Sequence, residues 1–133
     1  MTLPDVAATL GRGWTASYVQ TMGELDTSVL LDNGGNSSDT AAAAAAGWGG
    51  DRLVSLDGPD GSWAVVWQTA WDTSTDADEF SAAVDPAISE LGGAHAVLPG
   101  TDIAGSLDNP VLVLVASSPD TLQQVEQALS VGN

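Results

Sequence analysis

The sequence predicts an α+β domain in which two ββα units form an antiparallel or mixed sheet of four to five strands. A hairpin pattern leads into a helical pattern in the middle of the chain, and the order strand, strand, helix then repeats up to the C-terminus. Residues 110–116, PVLVLVA, are apolar throughout, as is typical of a central strand covered on both faces. We expect the helices to pack on one face, with short N-terminal helices at an edge or on the second face.

The 133 residues fit a single domain, 1–133. Residues 1–13 are predicted to be an irregular lead-in, and residues 14–22 a strand because they are rich in β-branched and aromatic side chains. Leucine and valine at helical spacing predict a helix over residues 23–33. Ser38 or Asp39 is predicted to cap a short helix through the alanine run that follows.

In the middle of the chain, the turn sequence Gly-Pro-Asp-Gly joins two apolar segments into a predicted hairpin. Thr75 and Asp78 have the spacing of a capping box and predict the start of a helix that Pro86 kinks or divides. The predicted core face of this helix is formed by Phe80, Val84, Ile88 and Leu91.

The last part of the chain repeats this order. Residues 95–100 are a strand candidate and precede the apolar strand 110–116. Ser118 is predicted to cap the final helix, with Pro119 at its first position. The predicted core face of that helix is formed by Leu122, Val125 and Leu129.

The charge is strongly negative: 18 acidic residues against two arginines give a formal charge of −16. Nucleic acids and anionic membranes need cationic neutralisation, so the composition argues against both as partners. A surface adapted to high salt, calcium binding and a basic protein partner are three open explanations of this charge.

The chain has no cysteine, no apolar run long enough to span a bilayer, and no signal-peptide pattern in MTLPDVAATL.

Three tryptophans lie four residues apart on the second hairpin strand: Trp63, Trp67 and Trp71. In a strand they project from one face, about 13 Å apart, and such a row of indoles suits a groove for a glycan or another small molecule. The alternative is that Trp63 and Trp67 fill the core beneath the following helix. Trp71, at the strand end, is expected to be partly exposed.

The segment AAAAAAGWGGDR (residues 41–52) carries the densest glycine cluster. Phosphate-binding loops lie between a strand and a helix N-terminus, whereas the order here is helix, glycines, strand. We therefore interpret the segment as a structural junction in which glycines with positive φ stop the helix. It comprises Gly47, Trp48, Gly49, Gly50, Asp51 and Arg52. Trp48 should pack on the alanine face, and Asp51 and Arg52 should either pair with each other or tie down the turn.

Metal, cofactor and catalytic signals are weak. Asp57 and Asp60 lie in a glycine-containing turn and are weak calcium candidates, since the bidentate glutamate of a calcium loop is missing. His95 is the single histidine, so a zinc site lacks ligands, and the residue is expected at an edge or on the surface. No cofactor motif and no catalytic residue is predicted.

The segments GELDTSVLL, AAAAAAGWGGDR and WDTSTDADEF resemble the C-terminal accessory region of a group of secreted bacterial zinc-peptidase-like proteins. The resemblance covers roughly residues 3–85. It implies an extracytoplasmic accessory domain without the zinc helix, so no peptidase residue carries over to this chain. The near-total loss of basic residues departs from the group and suggests a saline habitat.

These observations lead to three functional expectations. The first is a non-catalytic accessory or protein-interaction domain, with a protein partner or a second copy as its target. The alternative is a binder of small molecules or glycans through the tryptophan face. An enzyme of unknown type is third.

Overall fold

A computed structural model describes residues 1–34 and 36–129. Within them lie the α-helices α1 (Val6–Leu10), α2 (Gly23–Asn33), α3 (Ser38–Ala45), α4 (Ser74–Ser89) and α5 (Pro119–Ala128). The strands are β1 (Thr15–Gln20), β2 (Trp48–Asp57), β3 (Trp63–Trp71), β4 (Ala94–Pro99) and β5 (Val111–Ala116), with a 3₁₀ turn at Pro59–Gly61.

The strands form one sheet in the order β1-β2-β3-β5-β4, with every neighbouring pair antiparallel. The α+β class, the antiparallel sheet and the two ββα units, β2-β3-α4 and β4-β5-α5, are confirmed. Strand β5 lies between β3 and β4 and is buried along its whole length, as its apolar sequence predicts. In the described part of the chain, β1 and β4 are the sheet edges.

The helices pack on both faces of the sheet, so the expectation that they pack on one face was wrong. Helices α2, α3 and α4 cover one face, where Leu31 and Phe80 join Val113 of β5 in one apolar cluster. Helices α1 and α5 cover the other, where Val6 and Val125 join the second cluster. The cause is β5, whose alternate apolar side chains enter both clusters and need cover on both sides. We call these the α2–α4 face and the α1/α5 face.

Several helix starts differ from the predictions. The predicted lead-in contains α1, which the Asp5 carboxylate caps by accepting the Ala8 N–H at 3.0 Å. Ser37 caps α3, in place of Ser38 or Asp39, because its hydroxyl reaches the free Thr40 N–H. Thr73, two residues before the expected Thr75, caps α4 in the same way. Neighbouring Ser, Thr and Asp residues all suit a cap, so the sequence leaves this choice open.

Helix α4 runs without a break through Pro86. The predicted division therefore did not occur, and the proline ring lies on the exposed side of the helix. Leu91 was assigned to the core face but is 57% exposed, because the helix ends at Ser89 and its periodicity stops there. No helix within residues 1–34 and 36–129 combines the length and apolar character needed to cross a membrane.

Candidate functional site

The tryptophan row lies against the α2–α4 face, and most of it is buried. Trp67 is 2% and Trp71 1% exposed, while Trp63 is partly buried against the same cluster. Phe80 of α4 meets Trp67 edge-on at 5.4 Å between ring centroids and stacks on Trp71 at 4.6 Å. The rings therefore fill the core of an otherwise alanine-rich layer, as expected if Trp63 and Trp67 lie beneath the helix, and the other possibility, a glycan groove along this face, was wrong.

Trp71 was expected to be partly exposed, and this too was wrong. Its backbone N–H donates to the Asp108 carbonyl at 3.1 Å, and its own carbonyl accepts the Asn109 side-chain amide at 3.1 Å. The connection between β4 and β5 therefore continues the hydrogen bonding at the end of β3. The indole N–H of Trp71 is also satisfied, by the Thr69 hydroxyl at 2.9 Å.

The glycine junction connects α3 to β2, as the sequence indicated. Gly47 has φ +84° and its carbonyl accepts the Asp72 N–H at 2.8 Å, while Gly50, with φ +149°, follows a β-bulge. Gly49 was also expected to have a positive φ, but it does not. Trp48 packs against the cluster that contains the alanines of α3, as predicted.

Asp51 is the buried acid of this junction, 3% exposed on the α2–α4 face. Its carboxylate accepts the Trp67 indole N–H at 2.7 Å, the Met22 N–H at 3.0 Å and the Gly23 N–H at 3.3 Å. The last two groups are free donors at the start of α2, where a negative charge is favoured. Asp51 therefore ties α2 to the sheet, and its role is structural.

Arg52 does not pair with Asp51, because adjacent strand residues point to opposite faces. The guanidinium lies on the α1/α5 face and donates to the Thr21 hydroxyl at 3.3 Å. Across residues 1–34 and 36–129, no carboxylate lies within salt-bridge distance of it. Of the two alternatives for this dipeptide, the Asp51–Arg52 ion pair was therefore wrong, and the guanidinium faces a cleft.

The metal candidates do not converge. Asp57 and Asp60 are both exposed around the hairpin turn. Among the described residues there is no group of three or more His, Cys, Asp or Glu side chains placed to hold a metal ion. His95 lies on edge strand β4, as expected, and its Nε2 is 3.1 Å from the Asp85 carboxylate of α4.

Edge strand β1 carries accessible apolar side chains. Five of its six side chains are exposed, with Tyr18 at 57% and Val19 at 48%. No acidic residue occurs between Asp5 and Glu24, although the chain has 18. The two arginines flank the strand: Arg12 precedes it, and Arg52 bonds to Thr21 just after it. We call the strand and its outward-facing backbone the β1 edge.

A comparison with protein families places these features in a recognised domain. The profile of a domain of unknown function, DUF8575, matches residues 13–126, which include the β1 edge, the junction, the first ββα unit and the second up to the last turn of α5. The chain belongs to the DUF8575 family. No curated protein and no solved structure matches its sequence.

Two polar residues of this DUF8575 domain were not predicted from the sequence to have a role. Both form hydrogen bonds with the backbone of the connection between β4 and β5. Gln68 is fully buried in β3; its amide donates to the Thr101 carbonyl at 3.0 Å and accepts the Ile103 N–H at 2.9 Å. A glutamine within an apolar strand was the available signal, since a buried amide must find partners.

Asp102 holds the other end of this connection in the DUF8575 domain. Its carboxylate accepts backbone N–H groups from Ala104, Gly105 and Leu107 at 2.6–2.8 Å. Burial raises the pKa of Asp102, but the three hydrogen bonds lower it by more, so its pKa lies below that of an ordinary aspartate. The carboxylate thus fixes a turn.

Proposed function

We propose that this DUF8575 domain is a non-catalytic protein-interaction domain that recruits an extended segment of a partner polypeptide to the β1 edge. The observation that carries the proposal is the uncharged, solvent-exposed edge of β1 in a chain of charge −16. Unpaired N–H and C=O groups on a strand edge accept an added strand, and pockets or patches beside it provide selectivity.

The protection that usually blocks such an edge is incomplete in β1. Natural edges carry charged side chains, prolines or bulges that prevent pairing. Strand β1, TASYVQ, has neither charge nor proline. It has one bulge at Ser17, whose hydroxyl donates to the Ser55 carbonyl at 3.2 Å and keeps the bulge on the sheet. The edge on either side of the bulge remains open to a partner.

The distribution of charge favours this surface over the rest of the molecule. A partner that approaches elsewhere meets a high density of carboxylates, whereas the stretch from residue 6 to residue 23 has none. The most strongly bonded acids, Asp51 and Asp102, bind N–H groups of the protein itself. Their role in holding the fold supports a structural rather than a catalytic use of these carboxylates.

Retention of partners by paired variants tests the proposal. The tagged domain would be incubated with the extracytoplasmic fraction of its native host at the salt concentration of that host. Thr15→Lys/Tyr18→Lys places two charges on the β1 edge, and Leu91→Lys/Ala82→Lys places the same charge on exposed positions after and within α4. We expect a polypeptide retained by the wild type and the α4-side variant to be lost from the β1 variant. Equal retention by both variants would contradict the proposal.

The cellular setting is a second part of the proposal. The resemblance of GELDTSVLL, AAAAAAGWGGDR and WDTSTDADEF to the accessory region of secreted zinc-peptidase-like proteins supports an extracytoplasmic domain that accompanies such a peptidase, and the acidic composition supports a saline setting. Fractionation of the native host with an antibody to the domain tests the location, and a protein found only in the cytoplasm would exclude it. A His-Glu-x-x-His helix encoded in the same or the adjacent reading frame would support the accessory role, and its absence from both would count against it.

A further inference from the structure

A cleft of about 350 Å³ lies between the N-terminal residues and the outer strands β1 and β2, on the α1/α5 face. This volume is at the lower end of the range of about 300–1,000 Å³ for small-molecule sites. Its walls are polar and apolar in nearly equal parts, and the apolar part includes Leu3, Val6, Ala16, Val19 and Val54. Arg52 also lines it, so the cleft combines an apolar patch with a guanidinium group.

Arg52 has most of its hydrogen-bonding capacity unused. A guanidinium has five N–H donors, and the described residues accept one hydrogen bond from it, through Thr21. Its neighbour Asp51 is committed on the other face to Trp67 and to α2. An arginine without a carboxylate partner is unexpected in a chain with nine acidic residues for every basic one. The planar guanidinium group has the right shape to bind a carboxylate through two parallel hydrogen bonds.

The charges around the cleft narrow the class of anion. Asp5 also lines it, but one of its carboxylate oxygens caps α1 through the Ala8 N–H, and it forms no salt bridge with Arg52. With Asp5 nearby and a net charge of −16, a multiply charged phosphate meets more repulsion than a single carboxylate. The apolar wall favours a ligand whose carboxylate is attached to a small hydrocarbon group.

We infer that this cleft binds a carboxylate carried on a small apolar group, with Arg52 holding the carboxylate and the side chains of Val19 and Val54 covering the apolar part. The site is separate from partner binding at the β1 edge, because the ligand occupies the α1/α5 face rather than the backbone edge of the strand. The free acid of a short hydrocarbon chain and the C-terminal carboxylate of a peptide share this chemistry.

Titration with hexanoate, followed by calorimetry and by amide chemical shifts, tests the inference. We expect hexanoate to bind and hexanol, which lacks the charge, to bind at least about tenfold more weakly. Arg52→Gln should weaken hexanoate binding by about tenfold or more, whereas Arg12→Gln, the matched loss of the other cation, should leave it within about twofold. The shifts should map to Ala16, Val19 and Val54.

A second pair of probes distinguishes the two sources of the carboxylate. N-acetyl-leucyl-leucine presents a peptide C-terminus. The corresponding C-terminal amide, N-acetyl-leucyl-leucinamide, has the same side chains but no negative charge. Tighter binding of the peptide acid than of hexanoate assigns the site to a peptide C-terminus, and the reverse assigns it to a free acid. No saturable binding of either acid, equal affinity for hexanoate and hexanol, or unchanged binding by Arg52→Gln would overturn the inference. Equal partner retention by the β1 variant and the α4-side variant, with hexanoate binding intact, would contradict the proposed function alone.

Discussion

The carboxylate of Asp51 accepts the indole N–H of Trp67 at 2.7 Å, with both side chains almost fully buried. The two residues come from adjacent strands, and the same carboxylate binds the first N–H groups of α2. One acid therefore joins the hairpin, the tryptophan core and the helix that follows β1. This bond fixes the α2–α4 layer next to the β1 edge.

Replacing Asp51 should be costly because one buried and two partly buried N–H donors lose their acceptor. We expect Asp51→Ala to lower the free energy of unfolding by about 3 kcal/mol, since an unsatisfied buried donor costs about 1–3 kcal/mol. Asp51→Asn keeps one acceptor oxygen and should cost less. Urea unfolding followed by tryptophan fluorescence measures both. Asp57→Ala, at the exposed end of the same strand, is the control and should change stability by less than about 0.5 kcal/mol. Equal effects at the two positions would contradict the structural role of Asp51.

The junction glycine Gly47 should be far less replaceable than a glycine of similar backbone geometry elsewhere. A Cβ at Gly47, with φ +84°, would collide with the Asp76 carboxylate, whereas at Gly61, with φ +78°, it would meet open space. We expect Gly61→Ala to cost about 1 kcal/mol for the left-handed backbone alone, and Gly47→Ala to cost clearly more. Asp76→Ala should recover part of the difference in the double variant. Thermal unfolding of the wild type, the three single variants and the double variant measures this, and equal losses for Gly47→Ala and Gly61→Ala would refute the close approach.

Asp102 should contribute a pH-dependent part of the stability. Its pKa is lower in the folded protein than in the unfolded chain, because three backbone N–H groups favour the charged form despite burial. The stabilisation is therefore fully present above the unfolded value of about 3.9 and is lost as the pH falls through the lower folded value. We expect Asp102→Asn to have a lower free energy of unfolding than the wild type at neutral pH, and this difference should shrink as the pH falls. A difference that stays constant or grows as the pH falls would contradict a lowered pKa for Asp102 in the folded protein.

The acidic surface should make the fold more stable in salt. Repulsion among 18 carboxylates with two arginines to offset them destabilises the compact state, and salt screens it. We expect a higher melting temperature at roughly 2 M than at roughly 0.1 M NaCl. If KCl raises the melting temperature by the same amount, the effect is due to charge screening and not to a specific ion. An unchanged or lower melting temperature at high salt would remove the proposed adaptation to a saline environment.

The periodic and apolar parts of the chain were predictable from the sequence. PVLVLVA indicated a central strand, and the helix from Ser118 has the predicted cap and core face, with Val125 fully buried. These predictions were confirmed because burial on two faces and helical periodicity each determine which positions of the sequence are apolar. The same strand also implied helices on both faces, a consequence that the expectation of one covered face missed.

The candidate site was less predictable because it depends on contacts between distant residues. The sequence shows Asp51 next to Arg52, but the strand sends them to opposite faces, where they meet Trp67 and Thr21 instead. The exposure of Tyr18 follows from the position of β1 at the sheet edge, which a strand pattern alone does not reveal. The spacing of the tryptophans correctly predicted that they share one face of the strand. It did not predict that Phe80 would pack on Trp67 and Trp71.

The most direct measurement of the central claim is site-specific photo-crosslinking in the native host. A photoreactive phenylalanine analogue would replace Tyr18 on the β1 edge or, as the matched position, Leu91 after α4; both side chains are 57% exposed. We predict an adduct between the domain and a second polypeptide from position 18 and none from position 91. No adduct at position 18, or equal adducts at both positions, would contradict partner recruitment by the β1 edge.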